Sequence, residues 1–555
     1  MTLHQGSRAP WFPLVVIVLA QLQMNMNISV LPVSLGPISE DLDAPATAPA
    51  TALLLYSLFV AGFVMVGAKV GKIVGERLVF QVAVVVHGAS MALMAVATDT
   101  ATMNTAQVIA GLAAAAGVPS FVVLIAANYP GRQQATALGV LAGIPAVASA
   151  VTFVLAGFLA TVLSWRYSFG LLVVVSVVVL ALSFRLRPIP RQAGVRVDLV
   201  GVALSVPAIA LILLGFNNLQ TWGPLVAEDG APFSVLRLSP APLLIVAGVV
   251  LGQGFLVWSH RREAAGRQPL LATEVLDSRE ERSAVVAFLV AGSLSLAVSF
   301  LIPLYIQIAQ GRTPLASAVA ILPYAVAVAV AGVLSVRLYD RLPPRALGVG
   351  SFVLIALGLV VVAFNVGRDW STVPVIAGLL LVGVGEGTLL TLLFNVLVSA
   401  SPKSLAGDVG ALRGVVNNVS NALGAACASV LAVGLLGVFL ASAYAESDLP
   451  PEVEARAVTG DFVTDDRVRG MLDETSATPD QVDEAVAING DAGVRALRSA
   501  FLVVGAVALL AIFPATRLPR YVPDELSAED ILSDGTASGS RGPGPPPPSR
   551  GRTER

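Results

Sequence analysis

The chain has one cysteine, Cys427, three lysines (Lys69, Lys72 and Lys403) and three histidines (His4, His87 and His260) in 555 residues. A single cysteine excludes an intramolecular disulfide and any cysteine-built metal cluster. Three histidines so widely scattered do not make a histidine metal site. Charge is scarce as well: Asp, Glu, Lys and Arg together make up 13% of the chain, against about 25% in a soluble domain. The formal net charge of −2 excludes the basic surface of a nucleic-acid binder. A Gly-Lys-Ser/Thr phosphate loop is missing, so nucleotide chemistry is not indicated. What fills the chain is apolar residues, at 56%, with a mean hydropathy of +0.81. Too little polar surface remains for a water-soluble protein of this length, so the composition describes an all-α integral membrane protein whose first partner is the lipid bilayer.

A membrane-crossing helix needs about 20 largely apolar residues. Candidate spans fall at roughly 11–31, 50–70, 78–97, 104–127, 134–162, 167–184, 197–217, 240–259, 283–308, 314–336, 346–365, 372–399, 408–443 and 497–516. The first follows a short tail with Arg8 and lacks a small-residue cleavage site, so it reads as a retained helix and not a signal peptide. Loops after even-numbered spans carry Lys69, Lys72 and Arg77; Arg132; Arg185, Arg187, Arg191 and Arg196; Arg261, Arg262, Arg267, Arg279 and Arg282; and Arg337, Arg341 and Arg345. The first odd-numbered loop is acidic instead, with Glu40, Asp41 and Asp43. The positive-inside rule then places the even-numbered loops and both termini in the cytoplasm. Residues 444–496 form an acidic extracellular loop with short helical pieces expected around 480–487. It reads first as a solvated cap for the outer face. The proline-rich segment 520–555 is expected to be a disordered cytoplasmic tail.

Local motifs narrow the class. Pro303-Leu304-Tyr305-Ile306-Gln307 is followed by Gly311-Arg312-Thr313-Pro314-Leu315-Ala316 and then by Leu322-Pro323. Ser164-Trp165-Arg166-Tyr167 opens the sixth span. Asp198-Leu199-Val200-Gly201, with Gly215 and Trp222-Gly223, marks the seventh. Pro269-Leu270-Leu271 precedes Asp277-Ser278-Arg279 in the central loop. In this order and spacing the motifs resemble the fourteen-helix drug:proton antiporter branch of the major facilitator superfamily. The resemblance implies a major facilitator fold: an N-terminal six-helix half at 1–190, two inserted helices and the central cytoplasmic loop at 191–282, and a C-terminal half at 283–519 that includes the 444–496 loop. It also implies a midplane cavity with alternating access, a small-molecule substrate, a monomer, and no cofactor beyond the proton gradient. The location implied is a bacterial inner (plasma) membrane. The strong preference for arginine over lysine fits a bacterium with a GC-rich genome. Gly111, Gly117, Gly143, Gly157, Gly383, Gly385 and Gly387 fit close helix packing.

Departures from the family pattern carry mechanistic information. The family's first helix reads Leu-Asp-x-Thr-Ile-Val-Asn-Val-Ala-Leu-Pro, and its aspartate is a common proton or cation site. Here the stretch is Leu22-Gln23-Met24-Asn25-Met26-Asn27-Ile28-Ser29-Val30-Leu31-Pro32, so glutamine replaces the acid. In the fourth helix Gly111, Ala114, Ala115, Pro119 and Ser120 sit at family offsets, while Gln107 replaces the arginine. Loss of both together reads as removal of a linked pair, because one charge left alone would be costly. Between spans two and three the family's aspartate has become Lys72 and its first arginine Glu76, followed by Arg77. The exchanged charges keep an attraction possible, and helix-end pairing accounts for them equally well. The equivalent loop of the second half keeps Asp340, Arg341 and Arg345, with Pro343 in place of the glycine. Of the fifth-helix antiport motif Gly-Pro-x-x-Gly-Gly, only Gly157 remains, after Thr152-Phe153.

An ionisable side chain near the bilayer centre costs several kcal/mol, roughly 2.5–3.5 on insertion scales, and is a functional candidate by default. Glu386, in Gly383-Val384-Gly385-Glu386-Gly387, sits mid-span in the twelfth segment. It is read either as a proton-coupling or substrate-binding group or as half of a structural ion pair. Arg413, Asn417, Asn421 and Gly424 share one face of the thirteenth helix. Arg413 is open to pairing with Glu386 or to snorkelling toward the cytoplasm. His87 reads chiefly as a hydrogen-bonded packing residue. On the first helix Gln23 and Asn27 share one face and Asn25 lies nearly opposite. Either face offers neutral contacts to a cavity, as does Gln107.

The leading expectation is therefore a secondary active exporter, not an enzyme, of hydrophobic or amphipathic compounds, drugs and antibiotics among them, driven by proton antiport. A second keeps the fold but exports a specific metabolite or lipid with altered or absent proton coupling. A third, of another class, is a membrane partner or sensor that no longer transports and binds an envelope protein through residues 444–496.

Overall fold

In a computed structural model, the residues described are 9–34, 37–38, 41–43, 48–192, 194–228, 230–276, 278–306, 310, 314–338, 341–367, 372–400, 405–447, 449–450, 465–472 and 477–519. They form fourteen long helices: α1 (Phe12–Val33), α2 (Ala48–Val74), α3 (Glu76–Ala95), α4 (Thr100–Asn128), α5 (Gly131–Val162), α6 (Trp165–Ser183), α7 (Leu199–Asn217), α8 (Pro240–Ala264), α9 (Arg279–Leu304), α10 (Pro314–Leu334), α11 (Pro344–Asn365), α12 (Thr372–Ala400), α13 (Ala406–Ala445) and α14 (Pro479–Leu510). Among the described residues, twelve helices are long and apolar enough to cross a membrane, and Val319–Leu334 of α10 is a shorter apolar run. Spans one to twelve begin and end within a few residues of where hydropathy places them. The tail 520–555 and the central part of the acidic loop, 451–464, lie outside the described residues.

Local chemistry starts the helices. Asp99 accepts the Thr102 amide hydrogen at 2.7 Å and caps α4. Ser164 caps α6, Ser239 caps α8, and Ser278 with Glu281 forms a capping box on α9, each satisfying an otherwise unpaired first-turn N–H. Between α2 and α3 the backbone turns at Gly75, whose φ of 108° suits a residue without Cβ.

The far end of the chain differs from expectation. The stretch 480–487 is not a separate piece of a loop but the first turns of α14, which begins at Pro479 behind a Thr478–Gln481 capping box. With 40 residues in α13 and 1.5 Å per residue, that helix runs about 60 Å, roughly twice the hydrocarbon core. The overhang has its own apolar cluster, in which Leu440, Tyr444, Leu449, Val468, Leu472, Ala485 and Val486 pack together. Val468 and Leu472 come from a short helix, Asp465–Leu472. Tyr444 accepts a hydrogen bond from Asn489 Nδ2 at 2.7 Å, fastening α13 to α14.

Each half packs internally, α2 against α4 and α11 against α12, while α7 and α8 pair with each other beside α2. The halves meet near the end of the bundle that carries the arginine-rich loops, called here the basic face. There Gly139 of α5 lies against the Gly332 carbonyl of α10, Gly143 against Ala329, Gly410 of α13 against Pro119 and Val122 of α4, and Gly414 against Val64 of α2.

Candidate functional site

Three groups of polar side chains are built inside this apolar bundle. The first is in the N-terminal half. Gln23 of α1 donates from Nε2 to Nδ1 of His87 on α3 at 2.9 Å and to Ser176 Oγ on α6. One turn along α1, Asn27 and Gln107 of α4 exchange two hydrogen bonds, at 2.9 and 3.1 Å. All four amide and imidazole side chains are fully buried. Gln23 and Gln107, the residues standing where the family has its acid and base, thus find different partners. A reciprocal amide pair gives each residue one donated and one accepted bond without charge, the cheap way to keep polar groups in a low-dielectric interior. Asn25, on the other face of α1, is half-buried and donates to the Gln21 carbonyl at 2.8 Å.

The second group is in the C-terminal half. Glu386, mid-way along α12 and 3% exposed, accepts the Tyr324 hydroxyl of α10 at 2.5 Å. The Ser295 hydroxyl of α9 lies 3.3 Å from the Tyr324 oxygen. The glycines around Glu386 are what allow helices this close. A Cβ on Gly383 would lie 2.7 Å from the Tyr324 carbonyl oxygen, and one on Gly385 would lie 2.6 Å from that of Ser351 on α11. Arg413 does not pair with Glu386. Its guanidinium stands over the Phe394 ring of α12, 4.4 Å from the centroid, a cation–π contact. Further along that stripe Asn417 is exposed and Asn421 half-buried, and Gly424 packs on the Ser293 backbone of α9.

The third group closes the basic face. Asp408, in the first turn of α13, receives Lys69 Nζ at 2.9 Å and Lys72 Nζ at 2.5 Å, both from α2 in the other half. Its side chain is 1% exposed. Lys72 therefore reaches across the molecule, while Glu76, also buried, accepts the Ser120 hydroxyl of α4 at 2.7 Å. Arg77 donates to the Phe184 carbonyl at 2.7 Å and ties α3 to the end of α6. In the second half the Arg345 amide donates to the Pro519 carbonyl at 3.1 Å, and Arg341 is exposed. Asp340 lies outside the described residues.

Described residues of three sequence motifs, Trp165-Arg166, Asp198 and Tyr305, act as fasteners. Asp41 accepts the Trp165 indole N–H at 3.0 Å and pairs with Arg166, which also donates to the Ala97 carbonyl at 2.6 Å. Asp198 accepts the Trp258 indole N–H at 2.9 Å and lies 3.5 Å from Arg262, joining α7 to α8. Tyr305 receives Gln310 at 2.9 Å and donates to the Gly367 carbonyl at 3.1 Å. Asp408, Lys69, Tyr324 and Ser295 were not singled out by the sequence, because each acquires its role only from a helix distant in the chain. Among the described residues no group of three or more potential metal ligands comes together.

Residues 15–425 match the sequence model of the Major Facilitator Superfamily. The chain is 28% identical over 447 residues to the puromycin resistance protein pur8 of Streptomyces alboniger, covering 78% of this chain and 83% of that protein. It is 22% identical over 544 residues to the tetracenomycin C resistance and export protein of Streptomyces glaucescens, covering 96% of this chain and 95% of the relative. Among solved structures it is similar in fold to the proton:xylose symporter XylE, with a TM-score of 0.55 at 12% identity over 94% of this chain and 98% of that one.

Proposed function

The chain belongs to the major facilitator superfamily, and from that premise we propose that it exports hydrophobic or amphipathic compounds, antibiotics and other drugs among them, by proton-driven antiport. The names of its relatives support the export of such compounds: puromycin resistance for one, resistance to and export of tetracenomycin C for another. In this reading it is a multi-pass protein of the bacterial plasma membrane, works as a monomer, has both termini inside, and draws on an ion gradient instead of a cofactor. The basic face is then the cytoplasmic one, and the Asp408 triad with the glycine crossings at Gly139 and Gly410 is its closed gate. Substrate enters from the cytoplasm when the halves rock apart there, and leaves when they close as described above.

The observation that carries proton coupling is the Glu386–Tyr324–Ser295 cluster. An acid buried at mid-helix, with no cation beside it among the described residues, is cheaper to hold neutral than charged, and the Tyr324 hydroxyl is in place to hydrogen-bond either form. The first-helix position that serves coupling elsewhere in the family holds Gln23, which has no proton to exchange. Coupling therefore rests on α12.

The neutral Asn27–Gln107 pair favours a second reading, a dedicated metabolite or lipid exporter whose coupling has changed or gone. Inverted membrane vesicles separate the two. Uptake of a lipophilic dye driven by an imposed pH gradient and abolished by a protonophore supports antiport. Uptake that ignores both the gradient and the protonophore supports the second reading.

A further inference from the structure

We propose that Arg413 is the anion-receiving group of the central site and that the exported compounds carry a negative charge, such as a carboxylate, a sulfonate or an acidic phenol; this rests on the exporter reading above. Arg413 follows Asp408 by five residues, about 7.5 Å along α13, and so lies behind the closed gate as seen from the basic face. It sits in register between Gly410, packed on Pro119 and Val122, and Gly414, packed on Val64. An arginine reaching for the basic-face water would extend past these crossings. This one lies instead over Phe394, a residue of α12 with no exposed surface. Arg413 is partly buried and Asn417, one turn further, is exposed, which leaves open surface along the stripe.

Among the described residues the guanidinium is left uncompensated. Among the described residues no carboxylate pairs with Arg413. Asp408 is taken by Lys69 and Lys72, and Glu386 by Tyr324. Across the bundle the two positions where the family holds fixed charge are the amides Gln23 and Gln107, both buried and hydrogen-bonded. A cation in this setting is expensive without a counter-charge, and it repels cationic compounds. An anion supplies what is missing. The contact with the Phe394 ring is made without a hydrogen bond, and a planar acceptor is the group that a guanidinium grips with two parallel bonds. Asn417 and Asn421 offer neutral donors beside the rest of the molecule.

The test uses the full-length protein in nanodiscs and three fluorescent lipophilic probes of similar size: anionic 8-anilinonaphthalene-1-sulfonate, neutral N-phenyl-1-naphthylamine and cationic ethidium. Saturable binding of the anion is expected to be tighter than that of the cation. Arg413→Gln is expected to weaken the anion about tenfold, the scale of one lost charge-assisted contact, and the neutral probe less than about twofold. Arg413→Lys, which keeps the charge without the fork, is expected to fall between. Absence of saturable anion binding, preference for the cation, or an equal loss of all three probes in Arg413→Gln would overturn the proposal. Gel filtration monitors folding; should Arg413→Gln aggregate, Arg413→Lys and the wild-type order of the three probes decide. The exporter reading is tested separately by transport of the same probes in proteoliposomes. Anion binding at Arg413 without transport of any probe would count against export and leave the anion site standing.

Discussion

Lys72 of α2 and Asp408 of α13 meet at 2.5 Å, and the contact joins the two halves of the molecule at the basic face. With Lys69 at 2.9 Å it forms a buried triad in which one carboxylate serves two ammonium groups. Removing one partner of such a cluster costs about 3–5 kcal/mol, because the remaining charges stay desolvated.

Asp408→Asn is therefore expected to open the basic face. Spin labels at Ile73 and Leu342, both on exposed positions of opposite halves, would report it as a shift toward longer distances in double electron–electron resonance. Neutralising both lysines as well, in Lys69→Gln/Lys72→Gln/Asp408→Asn, should restore part of the short-distance population. An unchanged distribution in Asp408→Asn would mean that the glycine crossings alone hold the gate.

The reciprocal Asn27–Gln107 pair makes a thermodynamic prediction. Asn27→Ala and Gln107→Ala each strand a buried amide and are expected to lower stability by about 1–3 kcal/mol. The double substitution should cost clearly less than the sum, since neither partner remains to be stranded. Denaturant unfolding in detergent measures the cycle, and strict additivity would contradict the pairing.

These two relationships show how far the residues alone reach. Long apolar runs placed the helices, and the arginines of alternating loops named the basic face. The glycines around Glu386 announced a close approach. What could not be read was who approaches: Lys72 was open to pairing with Glu76 four residues away, and its partner is 336 residues away at Asp408. Arg413 was open to pairing with Glu386 or to snorkelling, yet each has a separate aromatic partner, Phe394 and Tyr324. The start of α14 was legible and passed over. Thr478-Pro479-Asp480-Gln481 is a capping box with proline at the first helical position, but the charged turns after it resemble loop to a hydropathy reading.

Asp198 predicts a structural phenotype. Asp198→Ala removes the acceptor of Trp258 and the partner of Arg262, loosening α7 from α8. A lower apparent melting temperature in detergent is expected with the order of transported compounds unchanged. A changed substrate order would place the inserted helices in the site.

Tyr444 tests the overhang. Tyr444→Ala breaks the contact with Asn489 and the small apolar cluster, so faster proteolysis between α13 and α14 is expected while transport in vesicles persists. Loss of transport with the membrane core intact would favour a working role for the 444–496 segment.

Proton release from proteoliposomes holding a pH gradient, recorded on addition of a transported probe with wild type and Glu386→Gln side by side, bears most directly on the mechanism. Probe-evoked proton flux in the wild type and its loss in Glu386→Gln, with probe binding retained, is the expected result. Undiminished flux in Glu386→Gln would contradict a coupling site on α12.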